Sequence, residues 1–357
     1  MSSRASATRS SSPPSRDGPE DCPDTRPDLI HKLKHDSSVL ALAVSDEYIF
    51  AGTHNGEIVV WSLGSFQLVQ TIQAHKRTVL CLFLSTTTGT PLLFSSAGDP
   101  VVSVWCAKTF KRLYEIYSNH DVGDMFSVAY SAQHEMVFIG AQDTTIQWVN
   151  LKDQKRRVPH DSDRHPSRRY HRFFDSKAIG GTSTPRRNDD RWSLIPRSQA
   201  VVEVETGAIE QFAHYGYVYC MLMAKGPTVL VDPDEEVLVS GGGDGTIKLW
   251  RISSGTEEYD DGETTDGSIE AIMVLGEDDA ESVMSLAIDG SFLYAGKLHG
   301  VIELWDLDTK QKLRVIKSHE GDIMTVQMSR GLLWSAASVG SACVSPHSFP
   351  IAIPRFI

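Results

Sequence analysis

Three groups of residues could carry chemistry. His75, Ser95 and Asp99, followed by Trp105, return in the same order as His214, Ser240 and Asp244, followed by Trp250; His120, Asp143 and Trp148 form a third group. A serine beside a carboxylate-oriented imidazole is the constellation of nucleophilic acyl transfer. An enzyme needs one such site, however, and a set that returns once per repeat reads as structural. Other chemistries lack their residues. No GxGxxG or GxxxxGK[ST] occurs, and Gly241-Gly242-Gly243-Asp244-Gly245 reads as a turn. HExxH, paired CxxC and GxSxG are also absent from the sequence. His160, His165 and His171 have no cysteine or acidic cluster beside them and make a poor zinc set. The 11 acidic residues of 253–281 lie in what reads as a loop, where nothing positions an acid–base pair. The expectation is a chain without catalytic, metal or cofactor residues.

The elements that must position these side chains show themselves as repeats. Trp61, Trp105 and Trp148 lie 44 and 43 residues apart, and each closes a similar apolar string. Two clearer copies are Asp244-Gly245-Thr246-Ile247-Lys248-Leu249-Trp250 and His299-Gly300-Val301-Ile302-Glu303-Leu304-Trp305. Alternating runs precede each string, such as Val39 to Val44 and Tyr48 to Thr53, and another follows, such as Leu313 to Ile316. Four short alternating runs per unit, with no helical period between them, predict a four-stranded antiparallel blade. Six units can be placed, at about 35–74, 75–118, 120–212, 214–276, 282–318 and 319–344. The sixth lacks a turn Asp and a closing Trp, so the expectation is a chain truncated or altered near residue 340. Its ring would stay open, with strand edges exposed. Leu29 to Leu33 read as an outer strand with no inner strands to receive it.

Composition bounds the rest. With 34 basic and 46 acidic residues the formal net charge is −12, which argues against nucleic-acid binding. No stretch approaches the roughly 20 apolar residues of a membrane span. The start has no apolar signal region, and the five scattered cysteines suit a reducing compartment. Residues 1–28 read as a disordered Ser/Pro/Arg-rich tail and 345–357 as an atypical tail. Between them, 29–344 form the repeats, interrupted by a basic low-complexity insertion at 152–205 and an acidic loop at 253–281. Residues 152–200 hold 13 basic and 6 acidic side chains, the composition of a solvated insertion.

A unit of this length that opens on His and ends on Trp-Asp resembles the WD40 repeat, and Trp305-Asp306 is a literal copy. The resemblance implies an all-β WD40-type propeller of about six recognisable blades, the last incomplete. It also implies that the turn Asp is buried against the His and nearby amides, with a strand Ser or Thr joining. Asn55 and His299 stand at that turn in the first and fifth units, where weaker networks are expected.

Longer segments are more specific. Ala74 to Ser85, Leu113 to Asp124, Gly140 to Trp148 and Arg164 to Ser176 resemble the N-terminal propellers of fungal glutathione-degradation (Dug) complex subunits. In that family the propeller precedes a dinuclear-zinc peptidase domain carrying a His-x-Asp motif. No His here is followed two residues later by Asp, so no catalytic or metal residue carries over. The resemblance implies a protein-interaction scaffold in a cytoplasmic glutathione-degrading assembly, with the nucleus as the other compartment considered. A glutamine-amidotransferase-like subunit is the implied partner. The rival expectations are a truncated product of a peptidase subunit and a general adaptor in ubiquitin-ligase or signalling assemblies.

Overall fold

Short β-branched and aromatic runs cut by tight turns pair with their sequence neighbours and form sheets one after another. The computed structural model describes residues 32–86, 89–118, 120, 122–152, 157–159, 200–225, 234–255, 267–276, 281–329, 331–338 and 342–346. The first blade is β1 (Val39–Val44), β2 (Tyr48–Thr53), β3 (Glu57–Ser62) and β4 (Leu68–Gln73), antiparallel in that order. The second is β5 (Val79–Ser85), β6 (Leu92–Ala97), β7 (Val101–Cys106) and β8 (Arg112–Tyr117). The third comprises β9 (Met125–Ser131), β10 (Met136–Ala141) and β11 (Ile146–Asn150). After it come β12 (Arg157–Pro159) and β13 (Ala200–Glu203), and β14 (Ile209–Glu210) then completes the third blade. The fourth is β15 (Val218–Lys225), β16 (Glu236–Gly242), β17 (Ile247–Ser253) and β18 (Ser268–Leu275). The fifth is β19 (Val283–Asp289), β20 (Phe292–Lys297), β21 (Val301–Asp306) and β22 (Gln311–Lys317). The sixth has β23 (Ile323–Ser329), β24 (Leu332–Ala337) and β25 (Ala342–Pro346).

The core lies between blades, where the facing sides of successive sheets meet. Ala41, Phe50, Ile58 and Val60 of the first blade pack against Val79, Leu82, Leu93 and Trp105 of the second. The same stacking carries β5 onto β9, β9 onto β15, β15 onto β19 and β19 onto β23; no packing of that extent links β23 to β1. Close approach needs a missing side chain at one point. A Cβ at Gly52 would stand 2.5 Å from Val79 Cγ1, and one at Gly241 would stand 2.6 Å from Val283 Cγ1. Glycine there lets the next blade's first strand settle against the sheet.

Three expectations are corrected. The insertion expected at 152–205 ends sooner: Ala200–Glu203 form β13, which runs parallel to β8 and pairs with it from Ala200↔Tyr114 to Glu203↔Tyr117. Val201, Val202 and Val204 are buried, so this apolar stretch belongs to the fold and covers the outer edge of the second blade. The supposed acidic loop 253–281 contains β18, whose Ile269, Met273 and Leu275 are buried. Alternating apolar residues there override the acidic composition. The sixth unit has three strands, incomplete as expected, but its pairing runs past the expected break near residue 340, with β25 paired to β24 from Leu332↔Pro346 to Ala336↔Ala342. Backbone pairing there needs neither the turn Asp nor the Trp. Leu29 to His31 lie outside the described residues, as do most of the two tails and of the insertion; Leu33 packs against Ala51, Val59 and Trp61.

Candidate functional site

The blade networks are built from the start of a blade, its second strand, the following turn and its third strand. In the second blade His75 Nδ1 meets Asp99 Oδ1 at 3.2 Å and Nε2 meets Ser95 Oγ at 2.8 Å. Trp105 Nε1–H donates to the same Ser95 Oγ at 2.9 Å. An indole can only donate, so Ser95 Oγ accepts that hydrogen bond; its own O–H can then serve Nε2 in the tautomer whose Nδ1–H meets the aspartate. Arg112 lies 4.5 Å over the Trp105 ring, donates to the Ala74 carbonyl and pairs with Glu115.

The fourth blade repeats the arrangement with more bonds. His214 Nδ1 stands 3.1 Å from both Asp244 oxygens, and Nε2 is 2.8 Å from Ser240 Oγ, which also accepts Trp250 Nε1–H at 2.8 Å. Tyr215 N–H, Thr246 N–H and the Thr246 hydroxyl donate to the carboxylate. Burial alone would raise the Asp244 pKa; the His214 bond, its charge and the two backbone N–H donors hold it well below the usual carboxylate range.

The third group does not assemble. His120 Nε2 is buried without a hydrogen-bond partner, Asp143 accepts from Thr145 N–H and hydroxyl, and Trp148 Nε1–H donates 3.3 Å to the Gly267 carbonyl at the start of β18. The cause is legible in the spacing. Trp105 and Trp250 each follow their turn aspartate by six residues, whereas Trp148 follows Asp143 by five. In strand register Trp148 opposes Phe138, the place Leu249 holds opposite Val239, while Val149 opposes Val137 in the place of Trp250. A one-residue slip sends a side chain to the other face. The partner of His120 is missing too, because Ile139 pairs with Val128 as Ser95 does with Leu82.

The fifth blade has another solution. Its position equivalent to Ser95 is Ala295, and Trp305 Nε1–H donates instead to Glu303 Oε2 at 3.1 Å. Lys297 Nζ and Lys312 Nζ reach the same carboxylate at 3.1 and 3.0 Å. Burial would raise the Glu303 pKa, but the two ammonium groups lower it. Sequence reasoning missed this cluster, whose signal was a glutamate two residues before the tryptophan. Asp306 ends β21 and accepts from Asp308 N–H and the Thr309 hydroxyl in the turn that follows. In the sixth blade His319 Nε2 meets Ser335 Oγ at 2.9 Å, and in the first His35 stands edge-on to Trp61.

These sets have triad-like distances but not a triad's access. Ser95 and Ser240 are 0% exposed and each already holds two partners, so no substrate reaches the hydroxyl. Burial pushes the Cys81 thiol up to about 11 and Cys220 higher still, away from thiolate chemistry. Among the described residues no group of three or more His, Cys, Asp or Glu side chains is arranged to hold a metal ion.

Successive blades of three or four antiparallel strands, stacked face to face with no strand of the described residues joining the last to the first, define a WD40-type β-propeller. The WD domain, G-beta repeat family matches residues 209–251, which contain His214, Ser240, Asp244 and Trp250. The chain is 30% identical over 337 residues to the probable di- and tripeptidase DUG2 of Saccharomyces cerevisiae, a match covering 84% of this chain and 37% of that protein. It thus spans little more than a third of that relative's length. Among solved structures, U3-55K superposes with a TM-score of 0.56 at 17% identity, over 87% of this chain and 78% of that one. The computationally designed Ika8 protein gives 0.51 at 20% identity, over 88% and 73%. Both likenesses speak to the fold.

Proposed function

We propose that this propeller is a non-catalytic protein-interaction scaffold serving a glutathione-degrading peptidase assembly in the cytoplasm. The observation that carries the proposal is the 30% match to a probable di- and tripeptidase, which runs over 84% of this chain. The blade networks support the non-catalytic part, since their hydroxyls are enclosed and serve the fold. The partner proposed is a peptidase with a glutamine-amidotransferase-like companion subunit. A second reading, that these blades are the propeller portion of a peptidase subunit, is favoured by the match spanning only 37% of the yeast protein. Mass spectrometry of proteins captured with the tagged chain from its own cells tests the proposal. Capture of a peptidase or amidotransferase-like subunit in stoichiometric amount is expected. A set of ubiquitin-ligase or signalling components with neither subunit would overturn it.

A further inference from the structure

Three aromatic rings meet where the third blade adjoins the fourth. Phe126 of β9 stacks on Tyr217, with ring centres 5.7 Å apart and planes 18° from parallel. Tyr219 of β15 stands 5.3 Å from Phe126 and meets Tyr217 edge-on at 5.8 Å. Phe212 and Tyr215 lie just before them in the chain, on a segment tied to one turn. Thr144 donates its hydroxyl to the Gln211 carbonyl, and its own carbonyl accepts His214 N–H. Phe212 is 72%, Tyr215 79% and Tyr217 40% exposed, although Phe126 covers one face of Tyr217. Exposed aromatic surface of this kind marks interaction sites. The backbone beneath it is held: Tyr215 N–H donates to Asp244 at 2.8 Å, and the Tyr217 carbonyl accepts Gly243 N–H at 2.9 Å.

Carboxylates border the patch. Asp124 N–H donates to Gln142 Oε1 at 3.1 Å, and Gln142 Nε2 reaches the Tyr217 hydroxyl at 3.5 Å, so one glutamine ties the aspartate to the ring. Asp143 follows Gln142 in the same turn. Arg77 stands near the Asp124 carboxylate across Gly98, yet among the described residues the two form no ion pair. We propose that this patch binds an arginine-bearing extended segment of a partner protein, with the guanidinium on the open side of the Tyr217 ring beside Asp124. Charge and shape select that occupant. A ring face attracts a cation, and a planar guanidinium stacks on the ring while its fork bonds a carboxylate, which an ammonium does less well. The protein uses the same pairing within itself, where Arg112 lies 4.5 Å over Trp105 and pairs with Glu115. Among the described residues no Lys or Arg lies over Phe126, Tyr217 or Tyr219. The chain's own basic insertion starts elsewhere, since Pro159 and Ala200 pair at the end of β13 remote from the Asp99 turn. The inference rests on the reading of the chain as an interaction scaffold and is independent of which assembly it serves.

Isothermal titration of the full chain with the peptide Gly-Arg-Gly-Arg-Gly at ~0.15 M salt tests the site. Saturable binding is expected, and its loss when citrulline, a neutral isostere, replaces arginine. Tyr217→Phe keeps the ring and should bind as the wild type does. Tyr217→Leu keeps apolar bulk without the ring and should bind about 3- to 30-fold more weakly. Asp124→Asn should weaken binding about two- to fivefold. Glu47→Gln, which removes one exposed charge from the turn between β1 and β2, should leave it unchanged. Circular dichroism checks that each variant folds; should Tyr217→Leu fail, Asp124→Asn against Glu47→Gln carries the test. No saturable binding, or equal binding of the citrulline peptide, would overturn the inference. So would equal weakening by Asp124→Asn and Glu47→Gln, the mark of a general attraction to an acidic chain. Replacing 160–196 by a Gly/Ser linker should not change the affinity; a gain on that replacement would give the patch to the chain's own insertion and overturn the partner as occupant. Failure of the peptide to bind leaves the assembly reading to be decided by the capture experiment.

Discussion

Asp244 gathers His214 and the N–H groups of Tyr215 and Thr246 around one carboxylate, so its removal leaves several buried donors unmet. Asp244→Ala should cost about 1–3 kcal/mol in chemical denaturation, on the scale of one buried polar group left unpaired. Asp143→Ala should cost less, because that carboxylate serves only Thr145 among the described residues. The depressed pKa of Asp244 also sets a sign. The stability it contributes is complete above the unfolded value of about 4 and is lost as pH falls through the lower folded value. Acid titration of the unfolding free energy should therefore fall less steeply for Asp244→Asn than for the wild type below about pH 4. Gln147 presents the opposite case: it is 0% exposed, and neither its amide nitrogen nor its oxygen has a hydrogen-bond partner. Gln147→Met should raise stability by about 1 kcal/mol or more, since an unpaired buried amide costs on that order. A lower melting midpoint for this variant would contradict the assignment.

At the scale of elements, the insertion divides into a paired base and the remainder. Pro159 and Ala200 are strand partners, so the backbone on either side of 160–199 is already side by side. Replacing 160–196 by a short Gly/Ser linker should leave the melting midpoint nearly unchanged, whereas removing 157–204 should destabilise the second blade by stripping β13 from β8. Thermal unfolding of the two deletions checks this. The strands themselves were legible, because alternation at a period of two and the recurring tryptophans locate nearly all of them. Other features depend on what periodicity does not record. β13 pairs in parallel with a strand more than 80 residues earlier, a non-local contact with no local signal. The face of Trp148 turned on a single missing residue between Asp143 and the tryptophan. The Glu303 cluster replaced a serine by a carboxylate and two lysines, a substitution of one polar solution by another. The second- and fourth-blade sites were readable because His, Ser, Asp and Trp kept their spacing.

For the whole molecule, rigidity and function have separate sources. Enclosed hydrogen bonds and apolar faces between blades fix the scaffold; under the proposed function, partner recognition falls to the loops it carries. The formal net charge is −12, and the proposed function accordingly takes proteins and not nucleic acid as partners. The central claim is that the chain contributes a surface and not a peptidase centre. Its most direct test is glutathione hydrolysis, measured on the tagged chain captured from its own cells and on the same chain purified alone. The account predicts release of glutamate and cysteinylglycine by the captured assembly and none by the isolated chain. Turnover by the isolated chain, abolished by a chelator, would contradict it, as would a captured assembly that leaves glutathione intact.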